Sequence, residues 1–220
     1  DLRMSRGLGD VYKRQADNLA DIAHQLKTPL TSMRLLTELL SRQNPEDVIC
    51  LERLDFQTKR LETLVGALLT LSRLDAGAVK LRREMVQISD LVLRAMEPIE
   101  AQISAAGIDV ELNIAPEIRL PLDAMWTAEA LLNVLKNCAE HTPAGGKITV
   151  FAKSNPIFTV LVITDSGSGF AKEDLPHLFE RFYRGKQEEN GGIGIGLALT
   201  QAILRAQDAD CLLYTSPSPR

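Results

Sequence analysis

The chain has no run of about 18 apolar residues, so no part of the sequence has the length and hydrophobicity of a membrane-spanning helix. Cysteine is scarce. Cys50, Cys138 and Cys211 are far apart, odd in number and in no CxxC pair. That spacing argues against a disulfide framework and a structural zinc site, and it fits a reducing compartment. An excess of positive charge is also missing. Lys+Arg 25 against Asp+Glu 29 gives a net charge of -4 over 220 residues, which argues against a nucleic-acid footprint. What remains is globular composition, 45% hydrophobic and 25% charged. It is too apolar for a disordered tail and too polar for a membrane-embedded bundle. The length accommodates one large domain or two small ones, at ~100–200 residues each.

The two ends differ from the rest. Residues 1–15 (DLRMSRGLGDVYKRQ) show no sustained period, and residues 211–220 (CLLYTSPSPR) form a Ser/Pro tail after an interrupted helix. Both resemble translated sequencing-adaptor remnants and are expected to be a foreign flank and a foreign tail, outside the fold. Removing them takes away five basic residues (Arg3, Arg6, Lys13, Arg14, Arg220) and two acidic ones (Asp1, Asp10). The rest, with 20 basic and 27 acidic residues, is clearly acidic.

Two segments with different periods lie between these ends. From Leu19 the apolar positions step by three and four through Ile22, Leu26, Pro29, Met33, Leu36 and Leu40, an a/d seam at the coiled-coil period. Asn44-Pro45 breaks the pattern. A second seam runs through Leu51, Leu54, Thr58, Leu61, Val65 and Leu68, widened by Leu64 and Leu71. Two long helices with a short connection predict an antiparallel hairpin over 16–79. Alone, such a hairpin leaves a long apolar stripe uncovered, so a dimeric four-helix bundle is the expected solution.

Beyond Asp75-Ala76-Gly77 the pattern turns mixed. The spacing predicts a strand over Arg82–Val86, a helix over Ser89–Ala106 ended by Gly107, and an alternating strand over Ile108–Ile114. Asp123 is placed to cap a helix reaching about His141. Lys147–Lys153 and Phe158–Thr164 read as a hairpin around Asn155-Pro156, and Gly191–Gly196 opens a last helix over Leu197–Ala206. Runs of strands and helices without βαβ regularity predict an α+β chain. Its second domain, over 80–210, is an α/β sandwich with one sheet covered on one face by helices.

Several residues stand out chemically. His24 falls outside the first seam, with Lys27 and Thr28 on its face at i+3 and i+4. Pro29 sits inside the same helix, where it deletes a backbone bond at a cost of about 3 kcal/mol. Such a cost is easier to understand at a working site than in a plain bundle. Asn133 and Asn137 share a helix face, and Asp165 follows a strand and opens Asp165-Ser-Gly-Ser-Gly169. Gly192, Gly194 and Gly196 precede a helix N-terminus, whose free N–H groups favour phosphate. That glycine run follows no strand of a βαβ unit, so a dinucleotide-binding reading fails its context test.

Taken in order, Ile22-Ala-His-Gln-Leu-Lys-Thr-Pro-Leu30 resembles the H box of sensor histidine kinases, and Leu132-Asn-Val-Leu-Lys-Asn-Cys-Ala-Glu-His-Thr142 their N box. Asp165–Gly169 matches the DxGxG box, Phe179-Glu-Arg-Phe-Tyr-Arg184 the F box, and Gly192-Ile-Gly-Ile-Gly-Leu197 the GxGxGL box. The resemblance spans Ala16 to Asp210. It implies a dimerisation and phosphotransfer hairpin followed by an ATP-binding domain of the histidine kinase/Hsp90-like type. It also implies autophosphorylation of His24 from ATP and transfer to an aspartate on a response-regulator receiver domain. Thr28 resembles the residue that positions water for regulator dephosphorylation, with Gln25 beside the histidine. The resemblance assigns Mg2+ coordination to Asn137 and pocket contacts to Asn133 and His141. The adenine amino group goes to Asp165, with Gly167 and Gly169 giving it room, the γ-phosphate to Arg184, and the phosphates to Gly192, Gly194, Gly196 and Leu197. Residues 172–187 would be a mobile lid. The whole would be the cytoplasmic portion of an inner- or plasma-membrane protein, a homodimer, attached through upstream segments absent here.

The chain departs from the family pattern at Gln25, where an acidic residue is usual, and at Glu140, where a basic one is. The family also continues past the last helix into two further strands, so the sheet is expected to lack C-terminal strands. Val150, Val160 and Val162 would then be short of cover, and the second domain would be loosely packed. Two other readings stay open: another ATPase of the same nucleotide fold, and a degenerate, non-catalytic dimeric scaffold.

Overall fold

The structure is a computed structural model and describes residues 26–36, 47–185 and 192–213. It divides into two units, residues 1–69 and 70–220.

The first unit contains a helix over 26–36 (α1) and most of a long helix, α2 (Asp47–Asp75). The seam expected on α1 is present: Pro29 and Leu36 are buried, and Leu26 and Met33 half-buried. Pro29 lies within the helix, as its sequence position predicted. Leu19, Ile22, Leu40 and the Asn44-Pro45 break lie outside the described residues. On α2 the covered stripe consists of Leu54, Leu61, Leu64 and Leu68. Leu51, Thr58 and Val65, read from sequence as part of one seam, are exposed. They repeat every seven residues on the flank of that stripe, where a single hairpin has nothing to cover them.

The second unit begins with the last turn of α2. It continues with β1 (Glu84–Gln87), α3 (Ile88–Met96), a 3-10 turn (Glu97–Ile99), α4 (Glu100–Ala105), β2 (Asp109–Asn113) and β3 (Arg119–Leu122). Then follow α5 (Ala124–His141), β4 (Lys147–Ser154), β5 (Thr159–Asp165), a 3-10 turn (Leu175–His177) and α6 (Gly196–Arg205). The continuous helix expected over 89–106 is broken in two. Pro98 cannot donate and crowds the carbonyl four residues back, so the chain tightens there before resuming. Strand β3 has no counterpart among the elements expected from sequence, and it contains Pro121, which cannot donate to a ladder. It is tolerated because β3 pairs only with β1 among the described strands, with Met85 opposite Pro121.

The sandwich expected from sequence is formed, but its strands fall into two hydrogen-bonded groups, β1-β3 and β2-β4-β5. β2 runs parallel to β4, with Val110 opposite Ile148. β4 and β5 form the anticipated antiparallel hairpin, Val150 opposite Ile163. Asn155 closes its turn, the side-chain oxygen accepting from the N–H groups of Ile157 and Phe158. This register corrects one expectation. Val150 faces the helices with Ile148 and is fully buried, whereas Val160 and Val162 lie on the opposite face. Leu91, Val92, Leu135, Ile148 and Val150 are the heart of one core that joins α3, α5 and the sheet.

Asp123 caps α5, its carboxylate accepting from the N–H groups of Met125 and Trp126. The other oxygen takes the backbone N–H of Arg82 at 2.7 Å. Arg83 extends this tie: its guanidinium bonds Asp208 at 2.7 Å and the Ala206 carbonyl at 3.1 Å. The segment leading into β1 is thus fastened to the start of α5 and the end of α6.

Candidate functional site

Two of the predicted residues, His24 and Gln25, lie outside the described residues. Thr28 is exposed on α1 beside Lys27. The remaining candidates belong to the second unit, where α5 carries the asparagine pair and α6 lies along it. Asn133 and Asn137 are both half-buried. A side chain at Gly196 would meet Asn133, with its Cβ 3.6 Å from the amide oxygen. Two boxes some sixty residues apart in sequence are therefore neighbours, and the bare N-terminus of α6 faces the polar face of α5. The amide nitrogen of Asn133 is buried and has no hydrogen-bond partner among the described residues. A buried donor left so costs about 1–3 kcal/mol, which suits a group held ready for a polar ligand.

The Asp165 turn abuts the other end of α5. Asp165 is the last residue of β5, exposed at the sheet's end, and accepts the Gly167 N–H at 2.9 Å. A Cβ on Gly167 would stand 2.5 Å from the His141 carbonyl oxygen. Only glycine fits between the turn and the helix end. His141 itself is exposed at the last position of α5. Behind the turn, Cys138 is buried, and burial followed by the nearby Asp165 carboxylate pushes its thiol up to about 12. Its closeness to Asp165 was not read from sequence. The one available signal was a thiol between Asn137 and Ala139.

The segment after the turn is anchored more firmly than a lid over 172–187 implies. Within 172–185, Asp174 and Leu178 are buried. The Tyr183 hydroxyl donates to Asp174 at 2.7 Å, and that bond first of all pushes its pKa up to about 12. Phe182 takes a left-handed conformation, φ 66°, and donates its N–H to the Gly194 carbonyl at 2.8 Å. Gly194, φ 72°, comes so close that a Cβ would lie 2.5 Å from the Tyr183 carbonyl. The F-box and GxGxGL segments are thereby joined through Phe182, Tyr183 and Gly194. Arg184 is half-buried just beyond Tyr183. Arg181 ion-pairs with Asp75 at the end of α2. His177 is exposed and bonded to Glu180.

These positions fit a nucleotide. An exposed carboxylate stands at one end, unpartnered amide and helix N–H groups at the other, and α5 joins them. No cluster of three acidic, histidine or cysteine side chains exists among the described residues. One amide oxygen, from Asn137, is the donor expected where a hard cation is held mainly by phosphates and water.

The comparisons with known proteins also find two parts in the chain. Residues 122–218 match the family model "Histidine kinase-, DNA gyrase B-, and HSP90-like ATPase", and residues 14–77 match "His Kinase A (phospho-acceptor) domain". The class is therefore an ATPase-type α/β domain joined to a phospho-acceptor hairpin. The sensor protein SphS of Synechococcus elongatus is 34% identical over 215 residues, covering 90% of this chain and 51% of SphS. The solved histidine kinase AdeS of Acinetobacter baumannii is 25% identical at a TM-score of 0.70, over 83% of this chain and 86% of that one. A solved mycobacterial sensor histidine kinase, MprB, is 31% identical at a TM-score of 0.50, over 56% of this chain and 78% of that one. This chain belongs to the sensor histidine kinase family of two-component signalling. It spans about half the length of the curated relative SphS. Among the described residues, no helix is long and apolar enough to cross a membrane.

Proposed function

We propose that the chain is the phosphotransfer core of a sensor kinase: a dimeric hairpin that accepts phosphate on His24 and a domain that binds ATP. Family membership supports both halves. The observation that carries the nucleotide reading is the meeting of Asn133 with the N-terminus of α6 at Gly196. Adenine goes to Asp165 in the turn that Gly167 closes, and the phosphates go to the Gly192–Gly196 segment and Asn133, with Arg184 toward the γ-phosphate. Asn137 would hold Mg2+, which supplies charge neutralisation on the phosphates.

The imidazole of His24 attacks the γ-phosphorus in line. A nitrogen–phosphorus bond forms as the bond to the bridging oxygen breaks, and ADP leaves with that electron pair. Gln25 cannot accept a proton, but a histidine of pKa ~6.5 is mostly neutral at pH 7 and already has a lone pair. The Gln25 carbonyl need only orient the other N–H. The phosphoryl group then passes to a receiver-domain aspartate docked on the hairpin, where the exposed Thr28 serves the reverse, hydrolytic reaction. The exposed apolar flank of α2 supports a homodimer. Attachment to a membrane would come through segments outside this chain.

His24→Gln tests the division of labour. ATP affinity should stay as it is while phosphorylation falls to background. Labelling that persists in the variant would remove His24 from the reaction.

A further inference from the structure

Helices packed through apolar side chains alone can slide along one another at small cost, because such contacts are not directional. Buried hydrogen bonds resist sliding, since each one broken strands a polar group away from water. Such bonds tie α6 to α5 midway along α6 and just past its end. Gln207 lies just past the end of α6, next to Asp208 with its left-handed backbone (φ 60°), and is 4% exposed. Its side-chain oxygen accepts the Asp123 N–H at 2.7 Å, and its amide nitrogen donates to the Thr127 hydroxyl at 3.2 Å. Asp123 and Thr127 are themselves buried. Midway along, the Thr200 hydroxyl, 1% exposed, donates to the Ala130 carbonyl at 3.2 Å. At the far end Gly196 faces Asn133.

We infer that Gln207 is a positioning residue for the phosphotransfer reaction: its buried bonds to Asp123 and Thr127 set the register that keeps the N-terminus of α6 beside Asn133. One residue of slip along a helix is about 1.5 Å, enough to carry the free N–H groups of α6 away from a bound phosphate. The adenine end of the site, at Asp165, is built on β5 and the end of α5 and does not depend on this register. The inference rests on the nucleotide reading above, with phosphates at the Gly192–Gly196 segment and base at Asp165.

The test titrates two probes, magnesium-ATP and adenosine, against the full chain and its variants by calorimetry below each variant's melting temperature. Gln207→Met keeps the side chain's bulk and removes both polar groups. ATP should bind about tenfold more weakly, the size of one stranded buried group, while adenosine affinity stays unchanged. Thr200→Val deletes the middle bond and should weaken ATP about threefold, again sparing adenosine. It decides the matter alone if Gln207→Met does not fold. Equal weakening of both probes, the mark of a merely structural residue, would overturn the inference, and so would no weakening of either. Asp165→Asn in the same titration must weaken adenosine. If it does not, the nucleotide reading itself fails, whatever the Gln207 and Thr200 variants do.

Discussion

The two units bury their apolar residues differently. In the 70–220 unit, α3, α5 and the β2-β4-β5 sheet close on one core, and Leu91, Val92, Leu135, Ile148 and Val150 have almost no contact with solvent. In the hairpin unit, Leu64 and Leu36 are covered, yet Leu30, Leu35, Leu51, Phe56, Val65 and Leu69 each expose 43–58% of their surface. The first arrangement closes a core of its own, while Met85, Leu93, Met125 and Ile157 stay exposed singly on its helices, edge strand and turn. The second has spent only one side of its helices. An apolar stripe left open on a long helix identifies the unit that is finished by another surface, which under our reading is a second copy of the hairpin. Under the proposed function the division follows the same line: nucleotide chemistry would sit in the unit with its own core, and the acceptor histidine in the unit that assembles.

The comparison can be broken most directly on α2. Val65→Glu places a charge in the open stripe and should weaken the dimer at least ~30-fold, the effect of losing one interface hot spot. Ile157→Glu, at the exposed β4–β5 turn, should leave it unchanged. Analytical ultracentrifugation distinguishes the two, and equal behaviour would mean that the stripe is ordinary surface. Within the second unit, Asp165→Asn should weaken ATP by about tenfold through the lost charged acceptor, as read by calorimetry. Thr28→Ala should slow regulator dephosphorylation a few-fold, the scale of one lost hydrogen bond, while sparing autophosphorylation. A parallel fall in both rates would make Thr28 a packing residue.

The smallest effect concerns pH. The Cys138 thiol, ordinarily near 9, is raised to about 12 by burial and then by Asp165. A raised pKa in the folded state means the contribution is complete below about pH 9 and is lost as pH climbs toward 12. The wild-type chain should therefore lose stability between pH 8 and pH 10 more steeply than Cys138→Ala, in denaturant titrations at the two values.

Much of this was legible in the sequence, and for definite reasons. Asp123 caps α5 because a short carboxylate before an apolar-periodic run has one good use. The β4–β5 turn followed from Asn155-Pro156 between alternating runs. The glycines at 167 and 194 sit where backbone meets backbone, so a motif of glycines correctly marked close approach. Other features depend on the partner surface and not on local pattern. Strand β3 has no legible pattern of its own, because nothing local says that a strand holding Pro121 will pair on one side only. Leu51 and Val65 shared a heptad with Leu54 and Leu68, and only packing reveals which flank is covered. Gln207 carried no signal at all: a glutamine past a helix end reads as surface until Asp123, more than eighty residues earlier in the chain, is seen against it.

The central claim is that the open hairpin receives what the closed domain activates. Incubation with ATP labelled at the γ-phosphate, followed by peptide mapping under neutral conditions, tests it in one experiment. The account predicts a single labelled peptide containing His24, its phosphate lost in acid and retained in alkali. Label on a serine, threonine or aspartate peptide, or ATP bound with no label transferred, would contradict it.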